Sequence, residues 1–123
     1  MATVLLVDDD LPYRRSLRAF LDASHDLDVV ADTGDGAEAI HLAAQLRPDA
    51  VVVDLAMPGL DGVEVAARVM EQLPDTVILL VTGVDGGDER RRAAELGTPL
   101  IHKGDPLPIE NALRHMTRRT SSS

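Results

Sequence analysis

The sequence predicts an α/β fold in which a doubly wound sheet of five parallel strands carries helices on both faces. Short apolar runs alternate about five times with longer segments whose apolar residues recur at helical spacing. A connection as long as a helix makes consecutive strands parallel, and right-handed crossovers distribute the helices over both faces of the sheet. The length of 123 residues fits a single domain with its own hydrophobic core.

The predicted strands are short runs of mostly β-branched and aliphatic residues. They cover residues 3–7, 27–31, 50–53, 76–81 and 99–102. The second run is partly polar, which indicates a strand at the edge of the sheet. The third is continuously apolar, which is typical of a strand buried on both faces.

The predicted helices are marked by start and stop signals between these strands. Pro12 begins the first helix, where its missing N–H is not needed, and Pro48 follows the end of the second. The last three helices are predicted over residues 63–73, 88–96 and 106–117, with Gly97 closing the fourth. The domain is therefore assigned to residues 1–118, and residues 119–123 are expected to form a flexible tail or the start of a linker.

Composition argues against several classes of partner. The formal net charge of −9 disfavours direct binding to nucleic acid or to an anionic membrane surface. The chain has no cysteine, which removes disulfides and thiolate metal sites and suits a reducing cytoplasm. No apolar run approaches the roughly 20 residues of a membrane span. We expect a cytoplasmic protein.

Polar side chains follow four of the five predicted strands, at the carboxyl end of each. Asp8 and Asp9 follow the first strand, Asp54 the third, Thr82 the fourth and Lys103 the fifth. Parallel strands bring their carboxyl ends to one edge of the sheet, so three carboxylates, a hydroxyl and an ammonium should share one crevice. An Asp after a strand often only caps the next helix, but the coincidence at four strand ends favours a site.

The crevice has the chemistry of phosphoryl transfer. Clustered carboxylates repel one another, and a hard divalent cation such as Mg²⁺ relieves that repulsion. Lys103 and Thr82 would contact phosphoryl oxygens. Asp54 ends a central strand between the acidic pair and Thr82, so we predict that an Asp54 oxygen attacks phosphorus to give an aspartyl phosphate.

Four sequence features together resemble the receiver domains of two-component response regulators. They are VLLVDD at residues 4–9, DLAMPGLDG at residues 54–62, the Val81-Thr82-Gly83 run and Lys103. The likeness covers about residues 2–117 and is greatest to receivers that precede helix-turn-helix transcriptional output domains. It implies a flavodoxin-like sheet with strand order 2-1-3-4-5.

The resemblance also implies a role for each motif residue. Asp54 would be the phosphoacceptor, charged by the phosphohistidine of a sensor histidine kinase, with Thr82 and Lys103 contacting the phosphoryl group. The implied ligands of Mg²⁺, or of Mn²⁺ in its place, are Asp8, Asp9, Asp54 and the backbone carbonyl of Ala56. The chain would then be a phosphoacceptor signalling domain rather than an enzyme, limited to self-directed phosphotransfer and autodephosphorylation.

The sequence also departs from the receiver pattern and leaves rival functions open. Leu100 occupies the position where receivers often carry an aromatic residue that reports phosphorylation. A phosphatase of the haloacid-dehalogenase type would use Asp8 as nucleophile but needs an acidic pair after the lysine strand, which this sequence lacks. A flavodoxin-like electron carrier needs a glycine- and hydroxyl-rich loop where Asp8 and Asp9 stand. A receiver kept only as a docking module is the third rival.

Three further expectations concern residues outside the crevice. Asp10 and Asp61 are predicted to cap helices rather than to bind a ligand. The basic run at residues 90–92, with acidic residues nearby, could pair across a homodimer formed by the surface of the fourth helix, fifth strand and fifth helix.

Overall fold

The computed structural model describes residues 1–57, 61–83 and 87–121, without the side chains of residues 89 and 119–121. Within these residues, five strands alternate with five helices. The strands are β1 (Ala2–Val7), β2 (Leu27–Thr33), β3 (Ala50–Asp54), β4 (Val77–Thr82) and β5 (Leu100–His102). The helices are α1 (Leu11–Asp22), α2 (Gly36–Leu46), α3 (Gly62–Gln72), α4 (Gly87–Leu96) and α5 (Pro106–Ser121).

The sheet is entirely parallel, with strand order β2-β1-β3-β4-β5. This confirms the predicted fold class and strand order, and β2 lies at an edge as its partly polar sequence indicated. Successive residues of a strand face opposite sides of the sheet, so the central strands supply two separate cores. One core packs against α1 and α5, and the other against α2, α3 and α4. Within the described residues, no helix is both long and apolar enough to cross a membrane.

The predicted bounds of the strands and of α3 and α4 agree with the structure to within two residues, but α5 is longer than expected. It continues to Ser121 instead of ending at Thr117. Neither Gly nor Pro follows Thr117, and Arg118 and Arg119 are good helix formers, so the sequence contains no stop signal there. Residues 122 and 123, and residues 58–60 of the DLAMPGLDG motif, lie outside the described part of the chain.

Local capping chemistry sets the helix ends, largely as expected. Asp10 is the N-cap of α1, and its carboxylate accepts a hydrogen bond from the backbone N–H of Tyr13. Asp61 is the N-cap of α3 and accepts from the N–H of Glu64 at 3.0 Å. Gly97 follows α4 with φ of 75°, the left-handed conformation that commonly ends a helix.

Gly62 lets α3 begin directly against the end of β3. A Cβ at this position would lie 2.1 Å from the carbonyl oxygen of Asp54 and 2.7 Å from the Cα of Leu55. Both neighbours are main-chain atoms, which cannot swing aside as a flexible side chain does. The absence of a side chain at Gly62 therefore lets the start of α3 pack directly on the backbone of Asp54 and Leu55.

We expect Gly62→Ala to lower the free energy of unfolding by about 1–3 kcal/mol, because the added methyl group overpacks the end of β3. Chemical denaturation measures the change. The matched control is Gly87→Ala at the first residue of α4, where a Cβ meets no atom of the described residues within 4 Å. That control should be neutral or slightly stabilising. Equal unfolding midpoints for the two variants would contradict the packing argument.

Candidate functional site

The predicted acidic residues meet at the carboxyl edge of the sheet. One carboxylate oxygen from each of Asp8, Asp9 and Asp54 lies within 4.8 Å of the other two. Asp8 and Asp54 are each only 4% exposed, whereas Asp9 is exposed. We call these three residues the acidic cluster. Its two buried members come from the ends of neighbouring strands, β1 and β3, which is why the topology brings them together.

Lys103 joins the acidic cluster from the far edge of the sheet. Its Nζ donates to Asp8 Oδ2 at 2.7 Å and to Asp54 Oδ2 at 3.3 Å. Its backbone N–H donates to the carbonyl of Thr82 at 2.9 Å, which extends the pairing of β5 with β4. The ammonium thus bridges two carboxylates and ties the end of β5 to the centre of the sheet.

Thr82 and Ala56 both lie close to Asp54. Thr82 is the buried last residue of β4 and follows Val81, which pairs with Asp54 in the strand register. The backbone N–H of Ala56 donates to Asp54 Oδ1 at 3.2 Å. The assignment of the Ala56 carbonyl as a metal ligand stays a prediction.

Arg14 supports the acidic cluster, although sequence reasoning gave it no role. Its Nη1 donates to the backbone carbonyl of Asp8 at 2.7 Å, and its Nε donates to Asp32 at 2.7 Å. Arg18 contacts the same Asp32 carboxylate. Partial burial works against ionisation of Asp32, but hydrogen bonds from Arg18 and Arg14 hold its pKa below the usual value. An ion-pair network therefore links α1 and β2 to the main chain at Asp8.

The charges of the site do not balance. Burial, followed by the negative charge of Asp8, raises the pKa of Asp54, and Lys103 offsets only part of that rise. Burial disfavours the ammonium of Lys103, but its bonds to Asp8 and its attraction to Asp54 raise its pKa above the ordinary value. The clustered oxygens with a deficit of positive charge are the donor set that hard divalent cations such as Mg²⁺ prefer, so the residues present fit such an ion.

Tyr13 is a second residue of the site that sequence reasoning missed. Its ring lies beside the ammonium of Lys103, with 4.4 Å from Nζ to the ring centroid. Burial, together with the charges of Asp8 and Asp54, raises the pKa of Tyr13 to about 12. The sequence did contain an indication of this role. Tyr13 lies in the first turn of the helix that follows Asp8 and Asp9, and this turn starts at the same edge of the sheet as the acidic cluster.

Comparison with known families agrees with this geometry. The family model for the response regulator receiver domain matches residues 4–102. The chain is a response regulator receiver domain.

Individual relatives show where such receivers occur. The transcriptional regulatory protein LiaR of Bacillus subtilis is 37% identical over 116 residues, which are 93% of this chain and 55% of LiaR. A protein-glutamate methylesterase of Methanospirillum hungatei is 37% identical over 109 residues, which are 86% of this chain and 31% of that protein. The signal receiver domain of NarL from Mycobacterium tuberculosis superposes with a TM-score of 0.87 at 30% identity, covering 95% of this chain and 96% of that one.

The raised pKa of Asp54 makes stability depend on pH. The folded receiver holds the Asp54 proton more tightly than the unfolded chain does, so the contribution of protonated Asp54 to stability is lost as pH rises through its folded pKa. We therefore expect Asp54→Asn to melt roughly 2–4 °C above the wild type at pH 7 without divalent cations. The difference should vanish below the ordinary pKa of aspartate, and Mg²⁺ should narrow it by stabilising the wild type.

Thermal melts followed by circular dichroism over pH 3–8, with and without Mg²⁺, measure this effect. The control is Asp28→Asn, which removes an exposed carboxylate from β2. A melting temperature for Asp54→Asn at or below that of the wild type at pH 7 would contradict the electrostatic argument.

Proposed function

We propose that this receiver accepts a phosphoryl group on Asp54 from the phosphohistidine of a sensor histidine kinase, in a reaction that requires Mg²⁺ or Mn²⁺. One observation carries the proposal. The ammonium of Lys103 bridges Asp8 and Asp54 within a cluster of three carboxylates at the carboxyl edge of the sheet. Such a site is negative enough to hold a divalent cation and carries a positive group placed to contact an incoming phosphoryl oxygen.

The transfer is a displacement at phosphorus. A carboxylate oxygen of Asp54 forms the new O–P bond while the P–N bond to the kinase histidine breaks, and the imidazole leaves with the bonding electron pair. Lys103 donates to a phosphoryl oxygen, and the hydroxyl of Thr82 donates to another. Asp8, Asp9, Asp54 and the Ala56 carbonyl would hold the divalent cation, which neutralises charge on the phosphoryl group.

Phosphorylation changes the partners of two groups. Before phosphorylation, Lys103 bridges Asp8 and Asp54. Once Asp54 is esterified, the ammonium of Lys103 must turn toward the phosphoryl oxygens. Thr82 is expected to shift in the same direction. Because the Lys103 N–H bonds to the Thr82 carbonyl, both movements alter the joined ends of β4 and β5. We propose that the surface changed in this way carries the signal.

The output is proposed to lie outside this chain. The chain spans about half the length of LiaR and about a third of the methylesterase, and LiaR is named as a transcriptional regulatory protein. We therefore propose a non-enzymatic cytoplasmic receiver that controls a transcriptional output domain or partner. The net charge of −9 disfavours DNA binding by the receiver itself. Thr117 is the last buried side chain of α5 among those that the structure describes, which supports a receiver unit of residues 1–118, although α5 itself continues to Ser121 and a linker would begin only after the helix ends.

Acetyl phosphate replaces the kinase in the simplest experiment. With Mg²⁺, we expect intact-protein mass spectrometry to show one added phosphoryl group on the wild type and on the Asp28→Asn control. Asp54→Asn should show none, because the attacking oxygen is missing, and chelating the metal should prevent the reaction in every variant. A phosphoryl adduct on Asp54→Asn of equal yield would place the acceptor elsewhere.

We also propose that the phosphorylated receiver forms a homodimer through the surface of α4, β5 and α5. Arg91 is exposed and contacts Asp88 of its own helix, and two further exposed acidic residues are Glu95 in α4 and Asp105 directly before α5. A surface with interspersed charges of both signs can pair with its own copy across a two-fold axis.

Arg91→Glu is expected to weaken phosphorylation-dependent dimerisation about tenfold or more, since it replaces attraction by repulsion across the interface. Sedimentation velocity of the phosphorylated protein measures the association. The matched control is Arg68→Glu, which removes another exposed arginine, one that pairs within α3. If the two phosphorylated variants dimerise equally well, the homodimer does not form through the surface of α4, β5 and α5.

A further inference from the structure

The one tyrosine of the chain lies against its one lysine. The sequence contains a single Tyr, Tyr13, and a single Lys, Lys103. They meet at the site with 4.4 Å between the Lys103 Nζ and the centroid of the Tyr13 ring. An ammonium at this distance from the face of an aromatic ring is attracted by the ring quadrupole, and the attraction is stronger where water is excluded. The Lys103 side chain is only 14% exposed.

Local bonds hold the ring where it is. The backbone N–H of Tyr13 donates to the Asp10 carboxylate at 3.3 Å, and the Asp10 N–H donates to Asp8 Oδ1 at 2.9 Å. The ring also packs against the core that α1 and α5 share. The backbone of Tyr13 is therefore connected through two hydrogen bonds to the same carboxylate that holds the ammonium of Lys103.

The ring, rather than the hydroxyl, makes the useful contact. The hydroxyl oxygen is buried and has no hydrogen-bond partner among the residues that the structure describes. Among the same residues, the ammonium meets Asp8 and Asp54 through hydrogen bonds and the ring through its face. The ring thus limits the directions in which a long, flexible lysine side chain can turn when Asp54 is esterified.

We propose that Tyr13 is a positioning residue for phosphoryl transfer, whose ring holds the Lys103 ammonium beside Asp54 where the phosphoryl oxygens arrive. This inference rests on the proposed function. A leucine at this position would fill part of the volume but would leave the ammonium free to adopt other rotamers. The loss should appear in the maximal rate of phosphorylation, because a misplaced ammonium stabilises the transition state poorly.

The contact itself can be measured without any reaction. Protein labelled with ¹³C-lysine gives side-chain resonances from Lys103 alone, and a nearby aromatic ring face moves its Hε signals upfield. We expect upfield Hε signals in the wild type and in Tyr13→Phe, and signals near those of free lysine in Tyr13→Leu. The matched control is Phe20→Leu, which removes the other aromatic ring of α1 and should leave the Lys103 signals unchanged. If Tyr13→Leu does not fold, Tyr13→Met takes its place.

A double-mutant cycle separates positioning from general packing. With saturating acetyl phosphate and Mg²⁺, Tyr13→Leu should lower the phosphorylation rate by about tenfold or more, and Tyr13→Phe should recover most of it. In a Lys103→Ala background, Tyr13→Leu should cause no further loss, because the group on which the ring acts is gone.

The outcomes distinguish this inference from the proposed function. If the wild type takes up no phosphoryl group, the proposed function fails and the inference fails with it. If the wild type is phosphorylated but Tyr13→Leu lowers the phosphorylation rate by the same factor in the wild-type and Lys103→Ala backgrounds, only the inference is overturned. Lys103 signals that do not respond to Tyr13→Leu would overturn it as well.

Discussion

The structure depends on one shared ammonium. Asp8 and Asp54 are buried side by side at the ends of neighbouring strands, and two such carboxylates repel each other when both are ionised. The Nζ of Lys103 lies within hydrogen-bond reach of both and reduces that repulsion. The same bonds link Lys103, which directly follows the edge strand β5, to the ends of β1 and β3, so an electrostatic contact joins the edge of the sheet to the site.

The ammonium of Lys103 does not remove the repulsion between Asp8 and Asp54 entirely, and the proposed function depends on the repulsion that remains. Burial and the charge of Asp8 still raise the pKa of Asp54, so an ionised Asp54 is disfavoured in the folded receiver. The apolar cores on both faces of the sheet supply the stability that tolerates this cost. A carboxylate that is poorly stabilised by its surroundings gains most from a cation and from conversion to an ester, which is the change that a phosphoacceptor undergoes.

Topology made much of this predictable from sequence. Parallel strands joined by helices place their carboxyl ends at one edge, so Asp54 and Lys103 could be brought together without coordinates. The caps at Asp10 and Asp61 follow from local chemistry within one helical turn. The same reasoning could have placed Tyr13 at this edge, but the contacts that Arg14 and Tyr13 make could not be derived in this way, because each depends on which rotamer the side chain adopts. The extension of α5 was missed because an absent stop signal gives no position for the end of a helix.

The position of the aromatic groups restricts how the site can communicate with α4. Leu100 occupies the position in β5 where receivers often carry an aromatic residue, and it packs against the core on the α4 side of the sheet. The aromatic ring that touches the site is instead Tyr13, on the opposite face with α1. Rotation of an aromatic residue in β5 therefore cannot carry the signal here. Two contacts among the described residues lie on this side of the site. One is the bond from the Lys103 N–H to the Thr82 carbonyl, and the other is the ion pair between Arg92 of α4 and Asp61, the N-cap of α3. In the proposed phosphorylated receiver, a movement of Thr82 and Lys103 toward the phosphoryl group would pass into the backbone of β4 and β5, while the Arg92–Asp61 ion pair ties α4 to the N-terminus of α3.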